Sequence, residues 1–229
     1  MTRPNEIAPG IFALDGLKLG RAYLIEDNDG LTLVDTSSAG AAEAILKAIA
    51  SIGRKPEDLH SIVATHYHRD HTGNVSTLVE RSGATLCAHA EDVPYIDGRL
   101  PWMKPRGLPS FGNGDRDGAH FTLRVDRALS EGDVLPAAGG IEIIHAPGHT
   151  PGHIALYAKQ RDLMFTGDAF MNVAGLQISP WISTHDMGQA KETVARLGEY
   201  AFDIALPGHG HAIVGRASEK LANWSRAWF

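Results

Sequence analysis

The sequence predicts an α/β protein in which two sheets carry helices on their outer faces. Short apolar runs rich in branched residues alternate with turn signals along most of the chain. Predicted strands outnumber predicted helices, and the helices fall between strands instead of in one block.

In the first half, strands are expected at Ile11–Leu14, Ala22–Glu26, Leu31–Asp35, Ser61–Thr65 and Ala84–Ala88. The second half adds Thr122–Val125, Ile141–His145, Ile154–Ala158, Leu163–Thr166 and Ile204–Leu206. Between them, Ala41–Ile52 places Ile45, Leu46, Ile49 and Ile52 on one helical face, with Gly53 as its stop. Asp186–Tyr200 aligns Ala190, Val194 and Leu197, with Thr184 or Asp186 available as the cap. Leu221, Trp224 and Trp228 form a last stripe at helical spacing, which reads as core packing, with a dimer contact as the alternative. Residues 90–120 hold Pro94, Pro101, Pro105, Pro109 and several glycines, and read as a lid-like insert in a single domain spanning residues 1–229.

Composition narrows the function classes. The chain has 229 residues, a formal charge of −6 and no basic stripe, so nucleic-acid binding is not expected. No apolar run reaches the roughly 18 residues of a membrane span, and the start lacks a signal-peptide core, so a cytoplasmic location is expected. The lone Cys87 has no disulfide partner and lies in an apolar run, as a small core residue would.

The chemistry is concentrated in Thr65-His66-Tyr67-His68-Arg69-Asp70-His71, directly after the apolar run Ile62-Val63-Ala64. Imidazole nitrogen beside carboxylate oxygen suits a divalent zinc, iron or manganese ion, and such a group cannot be buried without partners. Further candidates, His149, Asp168 and His209, each follow a predicted strand in a glycine-containing loop. One ion needs about four ligands, so this set suggests two metals.

The run His66-x-His68-x-Asp70-His71, followed in order by His149, Asp168 and His209, resembles the metallo-β-lactamase superfamily. The resemblance extends from Leu33-Val34-Asp35-Thr36 to Pro207-Gly208-His209-Gly210 and implies a four-layer αββα sandwich. It implies that His66, His68 and His149 hold one ion, that Asp70, His71 and His209 hold a second, and that Asp168 bridges them. Zinc is the expected metal, with iron or manganese as alternatives. Asp70 is then the catalytic carboxylate that orients a metal-bridging hydroxide. Asp35 is expected to orient a ligand histidine through its ring N–H, with a helix N-cap as the bland alternative.

Within the family, the aspartate at 168 argues against β-lactam hydrolysis and His68 argues against the flavodiiron branch. Glyoxalase II-like thioesterases usually add a C-terminal helical domain that the short segment after His209 does not supply. RNA-processing members carry a basic gripping arm that is not visible here. Many lactonases have a tyrosine where this chain has Phe170. The resulting expectation is a small metal-dependent hydrolase of lactones or thioesters, monomeric or homodimeric. A mononuclear iron sulfur dioxygenase is the alternative, and a silent metal-stabilised binding protein the third class. Tyr95, Trp102, Phe111 and Phe170, with Met103, Arg99, Lys104 and Arg106 nearby, are candidate walls of the substrate pocket. His145, His153 and His211 are read as outer-shell or surface groups, and His60, His89, His120 and His185 as structural or loop residues.

Overall fold

The computed structural model describes residues 4–102 and 123–228. Its first sheet has seven strands in sequence order: β1 (Pro4–Ala8), β2 (Ile11–Leu14), β3 (Tyr23–Asp27), β4 (Gly30–Val34), β5 (Leu59–Val63), β6 (Thr85–His89) and β7 (Arg127–Leu129). β1 to β4 form an antiparallel meander; β4 to β7 run parallel.

The second sheet contains β8 (Val134–Leu135), β9 (Ile141–His145), β10 (Ile154–Ala158), β11 (Leu163–Gly167), β14 (Ile204–Pro207) and β15 (Ile213–Val214). Their spatial order is β15-β14-β11-β10-β9-β8, with β11 and β14 parallel. A separate ribbon pairs β12 (Phe170–Asn172) with β13 (Leu176–Ile178).

Alternation along each strand divides the apolar side chains between two faces. In β3, Tyr23 and Ile25 point between the sheets and meet Ile143, Leu156 and Phe165, while Leu24 points outward. The outward layer of the first sheet packs against α1 (Ala42–Ser51) and α3 (Val75–Ser82) through Ile45, Ile49 and Leu78. The outward layer of the second sheet packs against α5 (Met187–Leu197) and α6 (Ala217–Ser225) through Val194, Leu197 and Leu221. Three apolar layers separate four structural layers, the αββα arrangement. Each large aliphatic side chain buried in them contributes about 1.5–3 kcal/mol.

The local signals work as expected at α1 and α5. Gly53 takes φ +81° and its amide bonds to Ala50, which closes α1. Asp186 caps α5 by accepting from the Gly188 and Gln189 amides. Trp224 packs edge-on against Trp228 at 4.5 Å and against Phe170 at 6.4 Å, so the C-terminal stripe covers the chain's own core. Cys87 is buried between the sheets.

Some expectations shift. Residues 123–125 form no strand; Thr122 lies outside the described residues. The strand sits instead at Arg127–Leu129, because Asp126 accepts from the Leu86 amide and sets the register against β6. Helix α3 and strands β1, β8, β12, β13 and β15 add to the predicted elements; they are too short or too polar to show a period in the sequence.

The parallel directions decide where the chemistry gathers. β4 and β5 are parallel, and β9, β11 and β14 share one direction, so their carboxyl ends lie at common sheet edges. A single helical turn, α2 (Arg69–Thr72), follows β5 and carries Asp70 and His71. The Ile154 amide donates to the Thr65 carbonyl across the two sheets, and the Arg21 amide donates to Gly208. Those bonds join the edges where the candidate loops emerge.

Candidate metal centre

All the residues of the predicted ligand set meet at this shared edge. Ligand atoms of His66, His68 and His149 lie within 4.8 Å of one another, as do those of His66, His71 and Asp168, and those of Asp70, His71 and His209. Asp168 connects the groups. Its Oδ2 is 3.5 Å from His149 Nε2 and 3.3 Å from His209 Nε2, and its Oδ1 is 3.4 Å from His71 Nε2. Asp70 Oδ2 lies 3.2 Å from His209 Nε2.

The outer hydrogen bonds fix which ring nitrogen faces inward. Asp35 Oδ2 meets His71 Nδ1 at 2.7 Å and accepts from Thr65 Oγ1 at 2.8 Å. The Thr65 hydroxyl proton is thereby used, so its oxygen is left to accept from His66 Nδ1 at 3.0 Å. In the same way Thr184 Oγ1 donates to the Pro180 carbonyl and accepts from His149 Nδ1 at 3.2 Å. His66, His71 and His149 therefore each spend Nδ1–H outward and turn Nε2 toward the cluster. His66 Nε2 and Asp168 Oδ1 are buried with no hydrogen-bond partner.

Electrostatics divides the cluster. Burial, together with neighbouring imidazoles, pushes His66 and His149 well below the usual histidine range. Burial also takes His68 down to about 4, against the pull of Asp70 and Asp168. Burial lowers His71 too, but Asp168 and Asp35 outweigh it and hold the ring at about 9. His209 is likewise carried up to about 10 by Asp168 and Asp70, against burial. Burial works to raise Asp70, yet His209 and His71 hold it at about 2. Neutral imidazoles on one side, and buried carboxylates drawing positive charge on the other, form a donor set suited to divalent cations.

Asp35 does not cap α1. It adopts φ 58°, in the left-handed region that aspartate tolerates, and its carboxylate points at His71 and Thr65. The first amides of α1 go instead to Asn74 Oδ1 at 2.9 and 3.0 Å. Two glycines are required by contact: a Cβ on Gly208 would stand 2.2 Å from Asp168 Oδ1, and one on Gly20, at φ +69°, would stand 1.9 Å from the Asp70 carbonyl.

Of the pocket candidates, Tyr95 stacks on Tyr67 at 4.6 Å, and Trp102 packs against Tyr67 while donating to the Tyr95 carbonyl. The Arg69 guanidinium lies over the Trp102 ring at 4.9 Å. Phe170 is a correction: it is fully buried in the apolar layer beneath α6, because the β12 register turns its ring against Trp224. Phe111, Met103, Lys104, Arg106 and His120 lie outside the described residues.

Two residues support the centre from behind: His153, expected from the sequence to be an outer or surface group, and Asp92, which the sequence reading missed. His153 is fully buried, with Nδ1 bonded to the Ala146 carbonyl and Nε2 accepting from the Asp168 amide at 2.9 Å. Asp92 is also buried and takes three hydrogen bonds; no local signal distinguishes it.

Comparison with known proteins agrees with this geometry. The signature of the metallo-beta-lactamase superfamily matches residues 15–209, and the chain belongs to that family. A crystal structure of the metallo-beta-lactamase family protein TTHA1429 from Thermus thermophilus superposes with TM-score 0.71 at 23% identity, covering 97% of this chain and 81% of that one. "Probable metallo-hydrolase YybB" of Bacillus subtilis (strain 168) is 30% identical over 150 residues, covering 65% of this chain and 61% of its own. A hydroxyacylglutathione hydrolase of Cereibacter sphaeroides (strain ATCC 17023) is 31% identical over 153 residues, covering 66% of this chain and 48% of its own. The chain thus spans less than two thirds of the length of both curated relatives. Among the described residues, no helix is long and apolar enough to cross a membrane.

Proposed function

We propose that the chain is a dinuclear hydrolase of ester-type bonds in small molecules, thioesters or lactones, with zinc in both positions. One observation carries this reading: the inward Nε2 atoms of His71 and His149 lie on either side of Asp168, each within 3.5 Å of one of its carboxylate oxygens. His66, His68 and His149 would hold one ion; Asp70, His71 and His209 would hold the other; Asp168 would serve both. When bound, such a pair lowers the pKa of a shared water towards about 7 and polarises a carbonyl oxygen.

The chain's own groups supply the rest. Asp70 is partly exposed and ionised at neutral pH, so it can accept a hydrogen bond from the attacking water and orient it. Asp35 and Thr65 keep His71 and His66 turned inward. The hydroxyacylglutathione hydrolases among the relatives support the thioester arm.

The test is elemental analysis of the purified chain, followed by a panel of thioesters and lactones with metal-replete protein. Two zinc ions per chain and turnover of one ester class are expected, with activity lost to chelator and restored by zinc. A single iron with thiol-dependent oxygen uptake would overturn the reading, as would a metal-replete chain inert to the whole panel.

A further inference from the structure

Asp92 precedes α4 (Val93–Ile96) and lies far along the chain from every candidate ligand, yet its carboxylate reaches two of their loops. Oδ2 accepts from the Tyr67 amide at 2.9 Å and from Thr150 Oγ1 at 2.8 Å, and Oδ1 accepts from the Gly152 amide at 2.7 Å. Tyr67 is the residue between His66 and His68, and Thr150 directly follows His149. One fully buried carboxylate therefore fastens the first-sheet loop that carries two imidazoles to the second-sheet loop that carries the third. The fit is close: a Cβ on Gly152 would stand 2.4 Å from the Asp92 amide.

The other half of the cluster hangs from different bonds. The His71 carbonyl accepts from the Thr36 amide and hydroxyl, and the His209 carbonyl accepts from the Asn172 amide. Arg21 holds the Gly208 and Gly210 carbonyls. None of these bonds passes through Asp92.

We propose that Asp92 is a positioning residue for one half of the metal centre: it sets His66 and His68 against His149, and leaves the group of Asp70, His71 and His209 to its own supports. The proposal rests on the two-metal reading above. It gives the half built from His66, His68 and His149 a tie of its own, in addition to the Asp35–Thr65 pair and the His68 carbonyl, which serve both halves.

Asp92→Asn tests it because the side chain keeps its shape but loses one acceptor. Whichever way the amide is flipped, its NH2 faces an N–H, at Tyr67 or at Gly152. Zinc titration of the stripped variant is expected to show one of two sites weakened about 10–100-fold and the other unchanged. With cobalt, one of two absorption components should fade. Thr150→Val removes a single donor and should give a smaller loss at the same site. In metal-free Asp92→Asn, amide exchange at Tyr67 and Gly152 should quicken relative to the wild-type chain.

Equal weakening of both metals, or of neither, would overturn the proposal, as would amides at Tyr67 and Gly152 that stay as protected as in the wild-type chain. A wild-type chain that takes up no metal would instead sink the two-metal reading, and the exchange experiment would still decide whether the strut exists.

Discussion

Among the described residues, histidine and carboxylate gather in two places, and the outer hydrogen bonds prepare just one of these two for an ion. The second comprises His89, Glu91 and His145, whose ligand atoms also lie within 4.8 Å of one another. There the imidazoles of His89 and His145 stack face to face at 4.1 Å, only 12° from parallel. Lone pairs lie in the ring planes, so one ion cannot sit in both planes at once. His145 Nε2 is further tied to the Pro151 carbonyl at 2.8 Å, and the Glu91 amide points at His89 Nδ1. In the main cluster His66 and His68 are nearly perpendicular, as are His68 and His149, and buried lone pairs converge. Residue type and proximity are common to both groups; the aim of the lone pairs, set by outer hydrogen bonds, separates them.

Removing the shared carboxylate should have the largest effect. Asp168→Ala is expected to cut ester turnover on the order of 10³-fold or more and to lower the metal content, measured by kinetics and elemental analysis. A variant that keeps both ions and full turnover would show that the two groups are not joined through Asp168.

Asp35→Asn comes next. It leaves the ring of His71 in place but weakens its orienting partner, so metal affinity should fall about 10–100-fold while the thermal transition moves less. An unchanged titration curve would mean that the aim of His71 is set elsewhere.

His153→Ala leaves the Asp168 amide buried without its acceptor. A stability loss of about 1–3 kcal/mol is expected in denaturant unfolding, with a partial loss of metal. Stability equal to that of the wild-type chain would remove His153 from the support of the centre.

The smallest effect belongs to the second group. His145→Ala should leave metal stoichiometry and turnover as they are; a lost equivalent of metal would show that the stacked pair opens to bind an ion after all.

Much of this was legible in the chain. Strands Ile141–His145 and Ile154–Ala158 are bounded by clear turn signals and fall where period and composition put them. Helix α1 was readable from its apolar face and Gly53. The ligand candidates were legible because polar, turn-prone loops directly followed apolar strands. The walls of the pocket were not: Phe170 lies next to a ligand-bearing loop, but whether its ring faces a cleft or a core depends on the β12–β13 register. Asp92 was invisible because its partners come from loops far away in sequence.

By itself the sequence determined which atoms can coordinate and which segments become strands, since donor chemistry and side-chain period are local properties. The tertiary structure alone decided that Asp168 reaches both sides of the cluster, that Asp35 orients an imidazole instead of capping a helix, and that His89 and His145 stack away from service. Those outcomes depend on the angles and separations of atoms brought together from distant parts of the chain, and such geometry is fixed only when the two sheets close against each other.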